Sequence, residues 1–199
     1  MIIICKSENL FAEEQFMIIC ITGLPGSGKS TVAELLKQEM EGCGRKVRHF
    51  TSDWMRHKLF PELVTAATER GRDFTPDELE RSYNGLYMLF EELLRVDPTL
   101  VILTDGTYRT ESQRSILREM SRHCNVGFFL IKVWMKEEAA LTRLRERLAS
   151  GAGSGPESYF SAKAAYEEPT DAFVLGNTGN KKALQKKVST LSRQLALLR

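Results

Sequence analysis

The chain contains 199 residues, of which 28 are Lys or Arg and 26 are Asp or Glu, giving a formal net charge of +2. Hydrophobic residues make up 42% and charged residues 27%, which fits one globular domain and excludes a disordered, collagen-like or disulfide-rich chain. No apolar run approaches the roughly 18–20 residues that cross a bilayer, so we expect no membrane association.

Cysteine and histidine residues are scattered along the sequence. The cysteines are Cys5, Cys20, Cys43 and Cys124, and the histidines are His49, His57 and His123. Because no Cys-x-x-Cys pair occurs, we expect free thiols and a cytoplasmic location, where thiols stay reduced. The histidines are equally isolated, and the sequence assigns them no site.

Strand and helix signals alternate from Met17 onward, so we interpret 17–199 as one domain and 1–16 as an appendage, either an extra edge strand or a tail. Predicted strands cover 17–22, 47–51, 100–103, 126–133 and 173–175. Predicted helices lie at 29–41, at 53–60, after Thr75, after Thr110, at 136–149, up to about Glu168 and around Leu184–Leu198. Capping boxes mark the starts after Thr75 and Thr110. Strands that alternate with helices indicate an α/β protein with a parallel sheet.

The segment Gly23-Leu-Pro-Gly-Ser-Gly-Lys-Ser30 matches the phosphate-binding motif G-x-x-x-x-G-K-[ST], between a predicted strand and a predicted helix. Its glycines let backbone amides turn inward and form a nest for phosphate oxygens at a helix N-terminus. We expect Lys29 to reach the β- and γ-phosphates of ATP and Ser30 to ligate Mg²⁺. The predicted nucleotide-binding residues are Gly23, Gly26, Ser27, Gly28, Lys29, Ser30 and Thr31.

Asp53 and Arg56 follow the second predicted strand. The carboxyl ends of parallel strands share one edge of the sheet, so Asp53 should face the same crevice as Lys29. A carboxylate there can accept the proton of an attacking hydroxyl, and Arg56, one helical turn later, can hold an anionic group of the acceptor. The alternative is that Asp53 only caps the N-terminus of the following helix.

Asp105 ends the third predicted strand, an apolar run followed by an acid. This pattern is typical of the Walker B element, whose acid holds Mg²⁺ directly or through water. Arg109 and Arg114 follow it, and we include Arg109 among the substrate-binding candidates. The alternative is that Asp105 only satisfies backbone amides in the turn.

Arg143 and Arg147 are four residues apart in a predicted helix, just before the Gly/Ser-rich segment 151–156. Their spacing places both guanidinium groups on one helix face. A lid over 143–168, hinged at the Gly/Ser-rich segment, could bring them over the transferred phosphate and exclude water. The alternative is a solvated basic face paired with Glu146.

Together these motifs resemble the P-loop kinases of the polynucleotide 5′-kinase and zeta-toxin type, often grouped as small AAA-like ATP-binding proteins. The resemblance covers about 17–180 and rests on the segments GLPGSGKS, TSDWMR, VILTDGTYRTESQR and TRLRER. It implies a three-layer α/β fold of the nucleoside- and nucleotide-kinase type, with five parallel strands in the order 2-3-1-4-5 and a lid. It also implies that residues near 176–182 flank adenine.

The resemblance further implies a role for each matching residue. Asp53 would be the general base, Arg56 would bind a phosphate of the acceptor, and Asp105 would organise the site. Arg143 and Arg147 would contact the transferred phosphate. The sequence departs from the family pattern at Tyr108, where polynucleotide kinases usually carry Asn.

We therefore predict a kinase that transfers the γ-phosphate of Mg-ATP to a hydroxyl of a small molecule or of a polynucleotide 5′-end. Residues 61–98 would receive the acceptor, and no obligatory protein partner is expected. The alternative is an ATP-dependent switch in which the nucleotide state alters the lid and residues 1–16 dock a partner protein.

Overall fold

The computed structural model describes residues 17–59, 61, 75–151 and 155–197. The predicted appendage at 1–16, residues 62–74 of the predicted acceptor region, residues 152–154 of the predicted Gly/Ser-rich hinge, and Leu198 lie outside the described residues. Within the described part, no helix is long and apolar enough to cross a membrane.

Five strands and seven helices make up the described part of the chain. The strands are β1 (Met17–Thr22), β2 (Val47–Thr51), β3 (Val101–Asp105), β4 (Gly127–Trp134) and β5 (Phe173–Gly176). The helices are α1 (Lys29–Gly42), α2 (Ser52–Leu59), α3 (Pro76–Val96), α4 (Glu111–His123), α5 (Glu137–Ala149), α6 (Glu157–Ala164) and α7 (Lys181–Leu197).

The five strands form one parallel sheet in the order β2-β3-β1-β4-β5, which confirms the predicted order. The strand β1 is central and every one of its residues is buried, as its continuous apolar sequence predicts. In the register, Thr51 of β2 is level with Asp105 of β3, and Ile21 of β1 pairs with the same residue. The carboxyl ends of these three strands therefore meet at one edge of the sheet.

Hydrophobic residues pack on both faces of the sheet, and alternate residues of β1 supply each face. Ile19 and Ile21 belong to a core with α1 and α7, whereas Ile18 and Cys20 belong to a core with α3 and α4. The apolar stripe of α7 is buried in the first core at Leu184, Val188, Leu191 and Leu195. This arrangement gives the three layers of the predicted α/β fold.

The two predicted capping boxes are confirmed. The side chains of Thr75 and Glu78 cap each other's backbone amides at the start of α3, and Thr110 and Gln113 do the same at α4. The helix predicted to reach Glu168 instead ends at Ala164. The chain after Ala164 is irregular, and the backbone amide of Glu167 donates to the carbonyl of Arg109 at 2.8 Å instead of to a helical carbonyl.

Candidate active site

A cavity of about 200 Å³ opens at the carboxyl edge of β1, β2 and β3. Most of the residues predicted from the sequence line it, namely Gly26, Gly28, Lys29, Ser30, Thr31, Asp53, Arg56, Asp105, Arg109 and Arg147. Gly23, Ser27 and Arg143 do not line it. The fold thus brings the predicted phosphate loop and the predicted acceptor side to one crevice.

The phosphate loop joins β1 to α1, and its glycines adopt conformations that other residues avoid. Gly28 has a φ of 93°, and a Cβ atom there would lie 2.2 Å from Nδ2 of Asn177. Gly23 lies deeper, where a Cβ atom would approach the carbonyl oxygen of Val133 to 2.4 Å. With Lys29 opening α1 directly after Gly28, the helix N-terminus faces the cavity and favours a bound anion.

A buried asparagine that no sequence motif indicated supports this loop. Nδ2 of Asn177, just after β5, donates to the backbone carbonyl of Ser27 at 2.8 Å. The Ser27 hydroxyl is itself buried and has no hydrogen-bond partner among the described residues. Ser27 therefore contributes to the loop through its backbone carbonyl. Asn177 belongs to the segment 176–182, which was predicted to flank adenine, so this segment also stabilises the loop conformation.

Lys29 is half-buried at the loop, and its ammonium group donates from Nζ to the carbonyl of Leu24 at 3.1 Å. Burial lowers the pKa of Lys29 from its ordinary 10.5 to about 8, with nearby Asp105 opposing the shift and Arg147 adding to it. Phosphate groups placed at this ammonium would favour its charged form and raise the pKa again.

This shift predicts that nucleotide binding takes up protons at alkaline pH. From a pKa of about 8, we expect an uptake of about 0.8 proton per site at pH 8.5 and about 0.1 at pH 7. Calorimetric titration with Mg-ADP in two buffers of different ionisation enthalpy measures the uptake. Saturable binding at pH 8.5 without proton uptake would contradict the prediction.

Ser30 and Asp105 contact each other at the cavity wall. The Ser30 hydroxyl donates to Oδ2 of Asp105 at 2.8 Å. Among the described residues, the contacts of this carboxylate are with side chains and not with turn amides. Oxygen atoms are the ligands that Mg²⁺ prefers, and Mg²⁺ is commonly held by one or two protein groups together with substrate phosphates. The Ser30 and Asp105 oxygens therefore fit a magnesium ion that arrives with the nucleotide.

His49 also contacts Asp105, although the histidines are isolated from one another in the sequence. Its Nε2 lies 2.6 Å from Oδ1 of Asp105, and the two side chains are only 15% and 4% exposed. The residues are 56 positions apart in sequence, and only the pairing of β2 with β3 brings them together. No local motif could have indicated this contact.

Asp53 does not cap α2, so the alternative considered for it is wrong. The capping side chain is Thr51, whose hydroxyl accepts from the backbone amide of Trp54 at 2.8 Å. Asp53 lies in the first turn with its side chain 74% exposed, forming an ion pair with Arg56. Its carboxylate is therefore accessible at the cavity that contains Lys29.

Arg56 and Arg109 form a positively charged part of the cavity lining. The Arg56 side chain is only 12% exposed, and its pKa is lowered mainly by burial, with the like charge of Arg109 contributing in the same direction. Tyr83, from α3, lines the same region and opposes this shift. Two neighbouring guanidinium groups favour an anionic ligand.

The loop that presents Arg109 is held by a strained residue and a buried arginine. Tyr108 has a φ of 40°, is fully buried, and its hydroxyl lies 2.6 Å from the Thr104 hydroxyl. Arg114, also fully buried, donates to the carbonyl of Tyr108 at 2.7 Å and to that of Glu167 at 2.8 Å. Tyr108, where the family pattern has Asn, thus packs into the core in a strained backbone conformation. The hydrogen bonds of Arg114 hold the loop in place.

The two predicted lid arginines occupy different places. Arg147 lines the cavity, whereas Arg143 has its guanidinium beside Gly28, 3.3 Å from where a Cβ atom of that glycine would stand. The helix α6 contributes Ser158 and Ser161 to the lining. Both arginines thus lie near the phosphate loop, one in the cavity and one against the loop backbone.

This fold and loop define a P-loop kinase-type ATP-binding domain, and the resemblance to small P-loop kinases is confirmed. The chain belongs to the family described as AAA domain, whose model matches residues 18–170.

Two curated relatives and one solved structure illustrate this kinship. The chain is 31% identical over 146 residues to the UPF0200 protein of Aeropyrum pernix, covering 68% of this chain and 67% of that protein. It is 28% identical over 170 residues to the adenylate kinase of Campylobacter jejuni, covering 81% of each. The chain also superposes on the solved structure of the APS kinase CysC of Mycobacterium tuberculosis in complex with AMPPNP and APS. The TM-score is 0.67 at 17% identity, and the match covers 91% of this chain and 98% of that one. This similarity shows that the two proteins share a fold.

Proposed function

We propose that the protein transfers the γ-phosphate of ATP to a hydroxyl of an acceptor that carries an anionic group, either a small molecule or a nucleic-acid end. The observation that carries the proposal is that Asp53 and Arg56 line the same cavity as Lys29 and the Ser30–Asp105 pair. The acceptor side and the phosphate side are thus close enough to serve one reaction. The cytoplasmic location expected from the cysteine pattern is part of this proposal.

In the proposed reaction, Lys29 and the loop amides bind the phosphates of ATP and orient the γ-phosphate. The acceptor oxygen forms a bond to the γ-phosphorus while the bond from that phosphorus to the β,γ-bridging oxygen breaks, and ADP leaves. Asp53 receives the hydroxyl proton. A magnesium ion held at Ser30 and Asp105 would neutralise phosphate charge when bound.

The arginines supply the remaining positive charge. Arg147 in the cavity would stabilise charge on the transferred phosphate, and Arg143 would support the loop at Gly28. Arg56 and Arg109 would bind the anionic group of the acceptor and so place its hydroxyl beside Asp53.

An acceptor screen with γ-labelled ATP tests the proposal. The panel contains adenylyl sulfate, gluconate, nucleosides, 5′-hydroxyl oligonucleotides and, as a phosphate acceptor, AMP. We expect a labelled phosphate ester from one of the anionic hydroxyl acceptors and not from the uncharged nucleosides. The Lys29→Met variant, purified in the same way, controls for contaminating kinases and should give at most about a hundredth of this product.

Two results of this screen would contradict the proposal. Transfer to AMP alone would make the acceptor a phosphate and not an alcohol. Slow release of inorganic phosphate, with no labelled acceptor and a rate changed by a partner protein, would favour the ATP-dependent switch.

A further inference from the structure

The side chain of His49 contacts Asp105, the carboxylate that accepts from the Ser30 hydroxyl. Parallel pairing sets Thr51 level with Asp105, and His49 lies two residues before Thr51 on the same face of β2. From there its ring extends toward the carboxyl edge of the sheet, and Nε2 comes within 2.6 Å of Oδ1 of Asp105. The Asp105 side chain is buried and the His49 ring is half-buried at this contact.

The hydrogen bonds at Asp105 divide between its two oxygens. Oδ2 accepts from the Ser30 hydroxyl at 2.8 Å, and Oδ1 is paired with His49. A carboxylate has no proton to donate, so Nε2 of His49 must carry the hydrogen of this bond. With one donor at each oxygen, the carboxylate cannot rotate freely, and the lone pairs that remain have a fixed direction.

We propose that His49 is a positioning residue that orients Asp105 to receive the divalent cation of the bound nucleotide. The inference rests on the proposed function, because it requires that a metal–nucleotide complex occupies the cavity. It depends on the hydrogen bond and on the ring's position and needs no change of charge on His49. Partners of this kind behind a metal-binding group typically alter metal affinity by about 10–100-fold when they are lost.

Metal binding to the full chain, measured without an acceptor, tests this role directly. Electron paramagnetic resonance gives the dissociation constant of Mn²⁺ in the complex with AMPPNP, a non-hydrolysable ATP analogue. We expect His49→Leu, which removes the donor, to raise this constant about tenfold. His49→Gln, whose side-chain amide places a donor near the position of Nε2, should stay within about threefold of the wild type.

Two controls distinguish a role of His49 in metal positioning from a contact that only stabilises the packing of β2 against β3. Affinity for AMPPNP in EDTA should be equal in the wild type and both variants. His123→Leu makes the same replacement at the exposed end of α4 and should leave Mn²⁺ affinity unchanged. If His49→Leu does not fold, His49→Asn carries the same expectation, since its shorter amide does not span the distance to Asp105.

The outcomes separate this inference from the function on which it rests. Wild-type Mn²⁺ affinity in His49→Leu, with only its melting temperature lowered, would overturn the positioning role and leave the kinase proposal standing. Equal weakening in the Leu and Gln variants would overturn it as well. A wild-type protein that binds no metal–nucleotide complex would overturn both.

Discussion

Replacing Lys29 by methionine is expected to reduce phosphoryl transfer about 10²–10³-fold, the usual effect of removing one donor aimed at developing phosphate charge. The Lys29 side chain is half-buried against the phosphate loop and lines the cavity, where its ammonium group can contact a bound phosphate. Methionine has a similar length and keeps the apolar stem packed, so the loop should retain its shape. Steady-state kinetics with the acceptor identified by the screen measure the loss.

The stability of the same variant distinguishes a lost charge from a damaged fold. Because the folded pKa of Lys29 is about 8 and its ordinary value is 10.5, the unfolded chain binds more protons between these values. Lys29 therefore makes the free energy of unfolding rise with pH across this window, and the methionine variant should lose that rise. We expect its unfolding free energy at pH 7 to equal or exceed that of the wild type.

Lys37→Met serves as the matched control, since it makes the same substitution two turns further along α1, away from the loop. It should retain wild-type transfer and the wild-type pH dependence of stability. Transfer by Lys29→Met within tenfold of the wild type would show that the ammonium group is not part of the phosphate site.

The features that the sequence predicted well are those whose causes lie within a few neighbouring residues. The loop at 23–30 is specified by glycines that permit its turns and by the helix that must follow, so its motif was enough to locate it. The caps at Thr75 and Thr110 are equally local, since each box joins residues three positions apart. The strand order depended on the family resemblance, because crossover rules alone leave several orders open.

The contacts that sequence analysis missed join distant residues through the sheet. Asn177 supports the loop at Ser27 across 150 positions, and His49 reaches Asp105 across 56. Both depend on strand neighbours and register, which no local pattern encodes. The strand β2 also contains Arg48 and Thr51, so nothing in its sequence distinguishes His49 or specifies a partner for it.

Competition between neighbouring residues accounts for the finer differences. Thr51 and Asp53 are both good capping residues, and sequence alone could not decide which of them caps α2. The structure gives the cap to Thr51, and Asp53 then lies in the first turn, where its carboxylate is exposed to the cavity. Because the cap is Thr51 and not Asp53, the Asp53 carboxylate is not used to accept from backbone amides at the helix start.

Replacing Asp53 by asparagine is expected to lower the rate of transfer about 10²–10⁴-fold, the range for losing a general base. The amide has nearly the same shape as the carboxylate and can still contact Arg56, but it cannot accept the hydroxyl proton. Nucleotide binding should be unchanged, because the phosphate loop and the Ser30–Asp105 pair are untouched. Single-turnover transfer and calorimetric titration with Mg-ADP separate the two effects.

Asp77 provides a closely matched control for this change. Like Asp53, it lies in the first turn of a helix and is mostly exposed, and it forms an ion pair with an arginine of the next turn, Arg81, at 2.9 Å. Asp77→Asn therefore removes a comparable charge from a comparable place, but outside the cavity lining. If both variants transferred phosphate equally well, the carboxylate of Asp53 would have only the small electrostatic role of a helix-start acid. If only Asp53→Asn loses transfer while both bind Mg-ADP normally, the carboxylate acts on the acceptor, because charge loss and helix stability are matched between the two.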